Sequence, residues 1–438
     1  MAGIDRPLRI AVIGGGAAGC FSAIGAKRRL PASSVTVFEA GPKLMAKLAV
    51  TGGGRCNITN TFRDVERLGE VYPRGEQLMK RALRVFSQQD TLRWFEAEGI
   101  RFVTQEDQCV FPESQDAMQI VRTLERCLRD AGVRICCNAP VGSIEALPDG
   151  GYCVGMPDQV GHDKLHAVPD NGHALPEACH ARLDRASQFD RVVVTVGGSS
   201  RERLQRLLPP GVEVTDTVPS LFTLKIPDAG LRALMGTVVE QASLSLAGTK
   251  FRSRGALLLT DWGVSGPATL RLSSYAARHL AENGYTGTLL VNWLDGSGPE
   301  VRAWMDSLAA EHPKKQIAST PAEGLTTRLW RHLLQRAALR EDLRWAELGS
   351  KGAARLAATL TADAYPVAGR ARFKEEFVTC GGVALSGVNL NTLESKACPG
   401  LYFAGEALDV DAVTGGFNLQ AAWSTAVVAA AGLSSLSR

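Results

Sequence analysis

A run of apolar and β-branched residues, Leu8–Ile13, leads straight into Gly14-Gly15-Gly16-Ala17-Ala18-Gly19, and a helix-forming stretch follows from Ala17 to Leu30. This pattern leaves few folds open. A strand that turns through G-x-G-x-x-G into a helix needs its first glycines for the tight turn and close approach of a pyrophosphate, and its third for packing helix against strand. Pro31 closes the helix, and Val35, Thr36 and Val37 fill a second strand that ends at Glu39, twenty residues past Gly19. A carboxylate at that place bonds the two hydroxyls of an adenosine ribose and repels a 2′-phosphate. The start of the chain therefore reads as the βαβ unit of a parallel α/β sheet.

The same texture returns far downstream. Gly400–Glu406 (GLYFAGE) is a buried-type strand followed by a small residue, a glycine and an acid, and Thr414-Gly415-Gly416 opens an apolar helix reaching Leu433. A flavin needs this second element, because its ribityl chain and ring extend beyond the adenosine half. An acid after the strand can bond a ribityl hydroxyl. A helix N-terminus near the pyrimidine ring favours the negative charge gained on reduction. A nicotinamide dinucleotide needs neither. A third segment, Thr51–Asn60 (TGGGRCNITN), has three glycines that fit a loop laid against a flat ring, with Arg55, Asn57 and Asn60 to bond phosphates or carbonyls. Glycine is abundant, 45 of 438 residues, and gathers at 14–16, 52–54, 197–198, 381–382 and 415–416. These five clusters are expected to meet around one cofactor.

Between the two α/β parts the pattern changes. Helices are expected over Gln77–Glu98 and Asp116–Ala131, a hairpin layer over 141–155, and a buried strand over Phe189–Gly197. Residues 156–189, polar and rich in Pro and His, read as a loop insertion. From 199, short runs separated by turn residues (LFTLKIP, TVVEQASLSLAG, GALLLTDWG, GTLLVNWL) suggest a small antiparallel sheet or barrel, and 300–361 reads as mostly helical. The expected divisions are 1–198 for the first part of the cofactor domain, 199–298 for an inserted barrel-like substrate domain, 299–363 for a helical subdomain, 364–378 for a return strand, and 379–438 for the second part.

Formal net charge is +4, with 49 basic and 45 acidic residues, so the total demands no polyanion partner. The ten cysteines show neither CxxC nor a zinc pattern, and no leader precedes Leu8, which points to reduced thiols and a cytoplasmic location. The apolar run Ala421–Leu433 is too short to span a bilayer. His162, His166, His173 and His180 crowd the insertion beside Cys179, but Pro169, Pro176 and Asn171-Gly172 argue for a loop rather than a metal site. Cys56 stands alone, where a disulfide reductase would have two cysteines. A Cys56–Cys380 redox pair is the alternative. Lys80, Arg81, Arg84 and Arg93 read as the solvated face of a helix, or as a greeting for an anionic nucleotide.

Taken with GVSGPATLRLS at 263–273 and VTCGGVAL at 378–385, these segments resemble the BaiN-like family of bacterial NAD(P)/FAD-dependent, aminoacetone-oxidase-like flavoproteins, from about residue 8 to 432. Phe417, where Tyr is usual, and Ala426, where a helix Gly is usual, depart from the family pattern. The resemblance implies a discontinuous Rossmann-type FAD-binding domain of the glutathione-reductase type 2 kind, with an inserted antiparallel β-barrel and a helical subdomain. By the same resemblance Gly14, Gly16, Gly19 and Glu39 would hold the adenosine diphosphate, and Gly53, Gly54, Arg55 and Asn57 would lie along the flavin. Glu406, Gly415, Gly416, Asn418 and Leu419 would close over the ribityl chain and pyrimidine ring. Ala17, Ala18, Ala40, Lys47, Thr51, Cys56, Val141, Gly197, Gly405, Asp411 and Phe417 complete the expected set.

The expected activity is hydride transfer between flavin N5 and a small organic substrate held between the FAD domain and the barrel. FAD would be bound non-covalently, with NAD(P)H as a transient donor because only one fingerprint is present. The alternatives are an oxidase using O2, a tRNA-modifying enzyme or a sensory flavoprotein; neither nucleic acid nor membrane is an expected partner. No residue supplies a clear general acid or base. Asp409, Asp411, Tyr365 and Arg55 are candidates by position.

Overall fold

The computed structural model describes residues 6–148, 150–156, 186–371 and 378–434. The chain divides into two compact units, one formed by 1–217 with 379–438 and the other by 218–378.

In the first unit, strand β1 (Arg9–Ile13) leads to helix α1 (Ala17–Arg29) and strand β2 (Ser34–Phe38). Next come α2 (Ala46–Gly54), α3 (Glu76–Val85), α4 (Gln88–Ala97), α5 (Ala117–Asp130), β3 (Arg134–Cys136) and β4 (Arg191–Val194). The chain returns to this unit with β5 (Leu401–Phe403) and α6 (Phe417–Gly432). The sheet order is β5-β4-β1-β2-β3, and every pairing is parallel. Buried strands such as Val192–Val194 read as continuous apolar runs because parallel sheets are covered on both faces.

Helix α6 is buried all round except at Asn418, Leu419 and Ala431. Its apolar run is thus the core of this unit, and among the described residues no helix is long and apolar enough to cross a membrane. Phe21 of α1 and Phe95 of α4 pack their rings against Trp423, at 5.2 and 5.5 Å between centroids. Gly25 lets α1 approach closely, since a Cβ there would stand 3.0 Å from that of Ala430.

The expected single helix over Gln77–Glu98 is broken at Phe86–Ser87. Phe86 is extended and its carbonyl accepts a hydrogen bond from Ser424 Oγ at 2.7 Å. Ser87 and Asp90 then form a capping box that starts α4. Of the insertion, residues 157–185, including all four histidines and Cys179, lie outside the described residues. Among the described residues no group of three His, Cys, Asp or Glu side chains could hold a metal ion.

The second unit is a six-stranded antiparallel sheet. Its strands run Leu224–Lys225, Gly263–Ser265, Arg252–Leu259, Val238–Leu246, Thr286–Asn292 and Asp363–Ala368 in spatial order. The first and last strands approach each other, with Lys225 N–H donating to Gly369 O at 2.8 Å and a bridge between Leu224 and Arg370. The sheet is nearly a closed barrel. Helices Gly298–Glu311, Thr327–Arg336 and Gly349–Ala362 share one apolar core with it through Trp293, Trp330, Trp345 and Leu356. Tyr365 lies in this unit, buried under the Arg336 guanidinium at 4.1 Å, and Arg336 forks onto Asp363 at 2.6–2.8 Å.

Candidate cofactor site

The fingerprint glycines divide into two kinds. Gly19 is required by the protein itself: a Cβ there would stand 1.9 Å from Gly14 O and 2.7 Å from Thr195 Oγ1. Gly16 is different. Its backbone is extended (φ −78, ψ −170), and a Cβ there would meet no protein atom within 4 Å. No side chain caps α1 and no acid stands in its first turn, so its leading N–H groups, at Ala17 and Ala18, remain open to an anion. Beside them the Glu39 carboxylate accepts from Gly15 N at 2.8 Å and from Gly41 N at 2.7 Å. Ala40 is exposed, and the chain running on to Val141 is held along it by Ala139 N–H on Glu39 O at 2.9 Å. These groups fit an adenosine diphosphate.

At the other end, the Thr51–Asn60 loop and the start of α6 are tied together. Asn57 donates its amide to Thr59 O at 2.9 Å and accepts from Gly416 N at 3.2 Å, Asn60 Nδ2 donates to Gly415 O at 3.1 Å, and Trp423 Nε1 donates to Ile58 O at 3.0 Å. Thr59 Oγ1 donates to Gln420 Oε1 at 2.6 Å. Gly416, at φ +86, leaves no room for a side chain, because a Cβ would lie 2.4 Å from Thr59 O. The two asparagines, read from sequence as ligand groups, thus act as braces. Gly53 and Gly54, at the kink that ends α2, face open space, with nothing within 4 Å of a Cβ. Arg55 lies over the Phe111 ring at 4.5 Å and bonds Gly52 O at 3.2 Å.

Helix α6 begins without a side-chain cap and without an acid in its first turn, whereas α4 and α5 of the same unit are capped by Ser87 and Asp116. Its free N–H groups and positive end face whatever lies against the loop. Phe417 is buried, its ring edge-on to Phe62 at 5.0 Å, and its carbonyl accepts from Tyr72 OH at 2.9 Å. The Asn418 side chain is spent on Ala412, accepting from its N–H at 2.9 Å and donating to its carbonyl at 3.0 Å, while Leu419 is half-buried.

Glu406 joins three segments. Its Oε1 accepts from Thr379 N at 2.7 Å, and its Oε2 pairs with Lys47 Nζ at 3.2 Å. A Cβ on Gly197 would stand 3.8 Å from the same carboxylate. Gly405 rests against α1, where a Cβ would stand 2.8 Å from that of Ala18. Gly382 packs under Ala407 and Leu408 in the same way. Thr379 and Thr195 had no signal in the sequence beyond their place beside glycines.

Asp411 is wholly buried, and both of its oxygens are taken by Arg74, with Nε to Oδ1 at 2.6 Å and a second, shorter bond from Nη2 to Oδ2. Arg74 was not legible in the sequence, standing 337 positions away. Asp409 N donates to Val383 O at 3.0 Å. Cys56 is fully buried, and burial pushes its thiol up to about 12. A thiol so shifted stays protonated at neutral pH and is a poor nucleophile. Native protein at pH 8 is therefore expected to leave Cys56 unlabelled by a disulfide reagent that modifies it fully in denaturant. Rapid labelling of Cys56 in the folded state would contradict this.

A parallel sheet with an uncapped first helix, a carboxylate at the end of its second strand, and a second uncapped helix braced against a glycine loop has the architecture of a flavin-binding Rossmann-type protein. The chain belongs to the HI0933-like family: the description "HI0933-like protein Rossmann domain" matches residues 8–432. This is a family of FAD-dependent oxidoreductases, and the resemblance to BaiN-like flavoproteins holds. The chain is 27% identical over 435 residues to the 3-dehydro-bile acid delta(4,6)-reductase of Clostridium scindens, covering 96% of this chain and 98% of that one. It is 30% identical over 420 residues to the ribosomal RNA dihydrouridine synthase of Escherichia coli, covering 95% of each. The protein of the same name from Haemophilus influenzae is 27% identical over 433 residues, covering 97% of this chain and 98% of that one.

Proposed function

We propose that this chain is a reductase that uses non-covalently held FAD to deliver a hydride to a carbon–carbon double bond conjugated to a carbonyl. The observation that carries this reading is the uncapped N-terminus of α6 braced against the glycine loop through Asn57, Asn60 and Thr59. That terminus favours negative charge on a ring laid beside it, which is the charge a reduced flavin carries. When bound, FAD supplies the two-electron hydride chemistry. The open N–H groups of α1 would bind its diphosphate, with Glu39 on the ribose side, while Glu406, oriented by Lys47 and Thr379, would bond the ribityl chain. These contacts are hydrogen bonds and charge, which is why the binding is non-covalent.

The relatives' names support the acceptor. A delta(4,6)-reductase and a dihydrouridine synthase both add hydrogen across a double bond, one in a steroid and one in an RNA base. NADH or NADPH would supply the hydride by docking transiently, and solvent would supply the proton that completes the saturated product.

Anaerobic mixing tests the reading. FAD-loaded protein is expected to bleach with NADH or NADPH and to recover its colour on addition of a cyclic enone or free uridine, with saturated product formed. Recovery with oxygen alone and no reduced acceptor would identify an oxidase and overturn the reductase reading.

A further inference from the structure

Helix α3 carries a basic face that the cofactor site does not use. Lys80, Arg81 and Arg84 line a groove of about 480 Å³ together with Val85, Asn391 and Val428. Among the described residues no carboxylate lines it. Lys80 shares its charge with Glu76 on the same helix at 2.7 Å, and Arg81 is held by Asn391 Oδ1 at 2.9 Å. Among the described residues no carboxylate pairs with Arg81 or Arg84. Val85 is 53% exposed within this basic surround, an apolar side chain left uncovered between cations. The groove is concave as well as basic, and Val85 gives it an apolar wall. A polyanion with flat apolar faces uses both.

Val428 places the groove eleven residues, or about 16 Å, along α6 from Phe417 at the flavin end. About five stacked nucleotides at 3.4 Å each span that length. Resting on the reductase reading above, we propose that this groove docks the phosphodiester backbone of an unpaired RNA segment. Arg81 and Arg84 contact phosphates, and Val85 lies against a base or sugar. A pyrimidine base carries a double bond conjugated to a carbonyl, and unpaired RNA segments are where such bases stand free of stacking. The groove thus holds the strand at a distance from the base that reacts.

The test uses FAD-loaded protein and a fluorescein-labelled 20-nucleotide poly(U) RNA, read by anisotropy between 50 and 200 mM salt. Wild type is expected to bind it and to ignore poly-glutamate of equal length. Replacing both arginines (Arg81→Gln with Arg84→Gln) removes two phosphate contacts. The slope of log affinity against log salt then falls in magnitude by about 1.4, and the affinity lost between 50 and 200 mM salt shrinks about sevenfold. Turnover of a free cyclic enone stays at the wild-type rate in this variant. No RNA binding by wild type, an unchanged slope in the variant, or equal binding of poly-glutamate would each overturn the proposal. Absence of enone turnover in wild type would instead sink the reductase reading and leave the binding result standing.

Discussion

Replacing Asp411 with alanine is expected to lower the stability of the first unit by about 3–5 kcal/mol, because it strands a buried guanidinium without its carboxylate. Arg74 is only 15% exposed and Asp411 not at all, so solvent cannot take over the lost contacts. Arg74→Ala should cost a similar amount, leaving the carboxylate orphaned. The double replacement Arg74→Met with Asp411→Leu should regain most of that loss, since an apolar pair of similar bulk needs no partner. Urea unfolding followed by far-ultraviolet circular dichroism checks all three. Single variants as stable as wild type would show that the pair is not a structural clamp and would return Asp411 to the possible cofactor ligands.

A second contrast lies within the fingerprint. Gly16→Ala should leave the stability of the FAD-free protein within about 0.5 kcal/mol of wild type, since its Cβ meets no protein atom and its backbone is ordinary. On the proposed reading it should weaken FAD binding at least about a hundredfold, near 2.7 kcal/mol, by standing in the place assigned to the diphosphate. Gly19→Ala should do the reverse in order of cause. Its Cβ overlaps Gly14 O, so the fold loses about 3 kcal/mol before any cofactor is considered. Thermal unfolding without FAD, followed by FAD titration, separates the two. Equal destabilisation by both would mean that Gly16 serves packing, and the assignment of the diphosphate to α1 would lose its support.

What the sequence made legible follows from how local the signals are. The strand, turn and helix from Leu8 to Arg29, the acid at Glu39, and the pair GLYFAGE and TGG are short-range patterns, and the structure builds them as parallel β1, α1, β2, β5 and α6. The break in the helix at Phe86 was hidden because apolar spacing continues through it, and only the Ser87-x-x-Asp90 box marks the restart. At the break the Phe86 carbonyl is taken by Ser424, 338 residues away. Amides beside glycines suit phosphates, so Asn57 and Asn60 read as ligand groups in the sequence, yet folding spends them on Gly416 and Gly415. The Arg74–Asp411 pair and the groove joining α3 to Val428 depend on tertiary closure, for which one sequence holds no periodic signal.

On the proposed reading, segments far apart in the chain build one flavin site in the first unit. FAD titration of the cofactor-free protein by equilibrium dialysis, with NAD as competitor, tests it most directly. One FAD per chain is expected, undisturbed by excess NAD and lost in Gly16→Ala at the same protein concentration. Absence of FAD binding to the folded wild-type protein, or displacement of FAD by NAD from the same site, would contradict it.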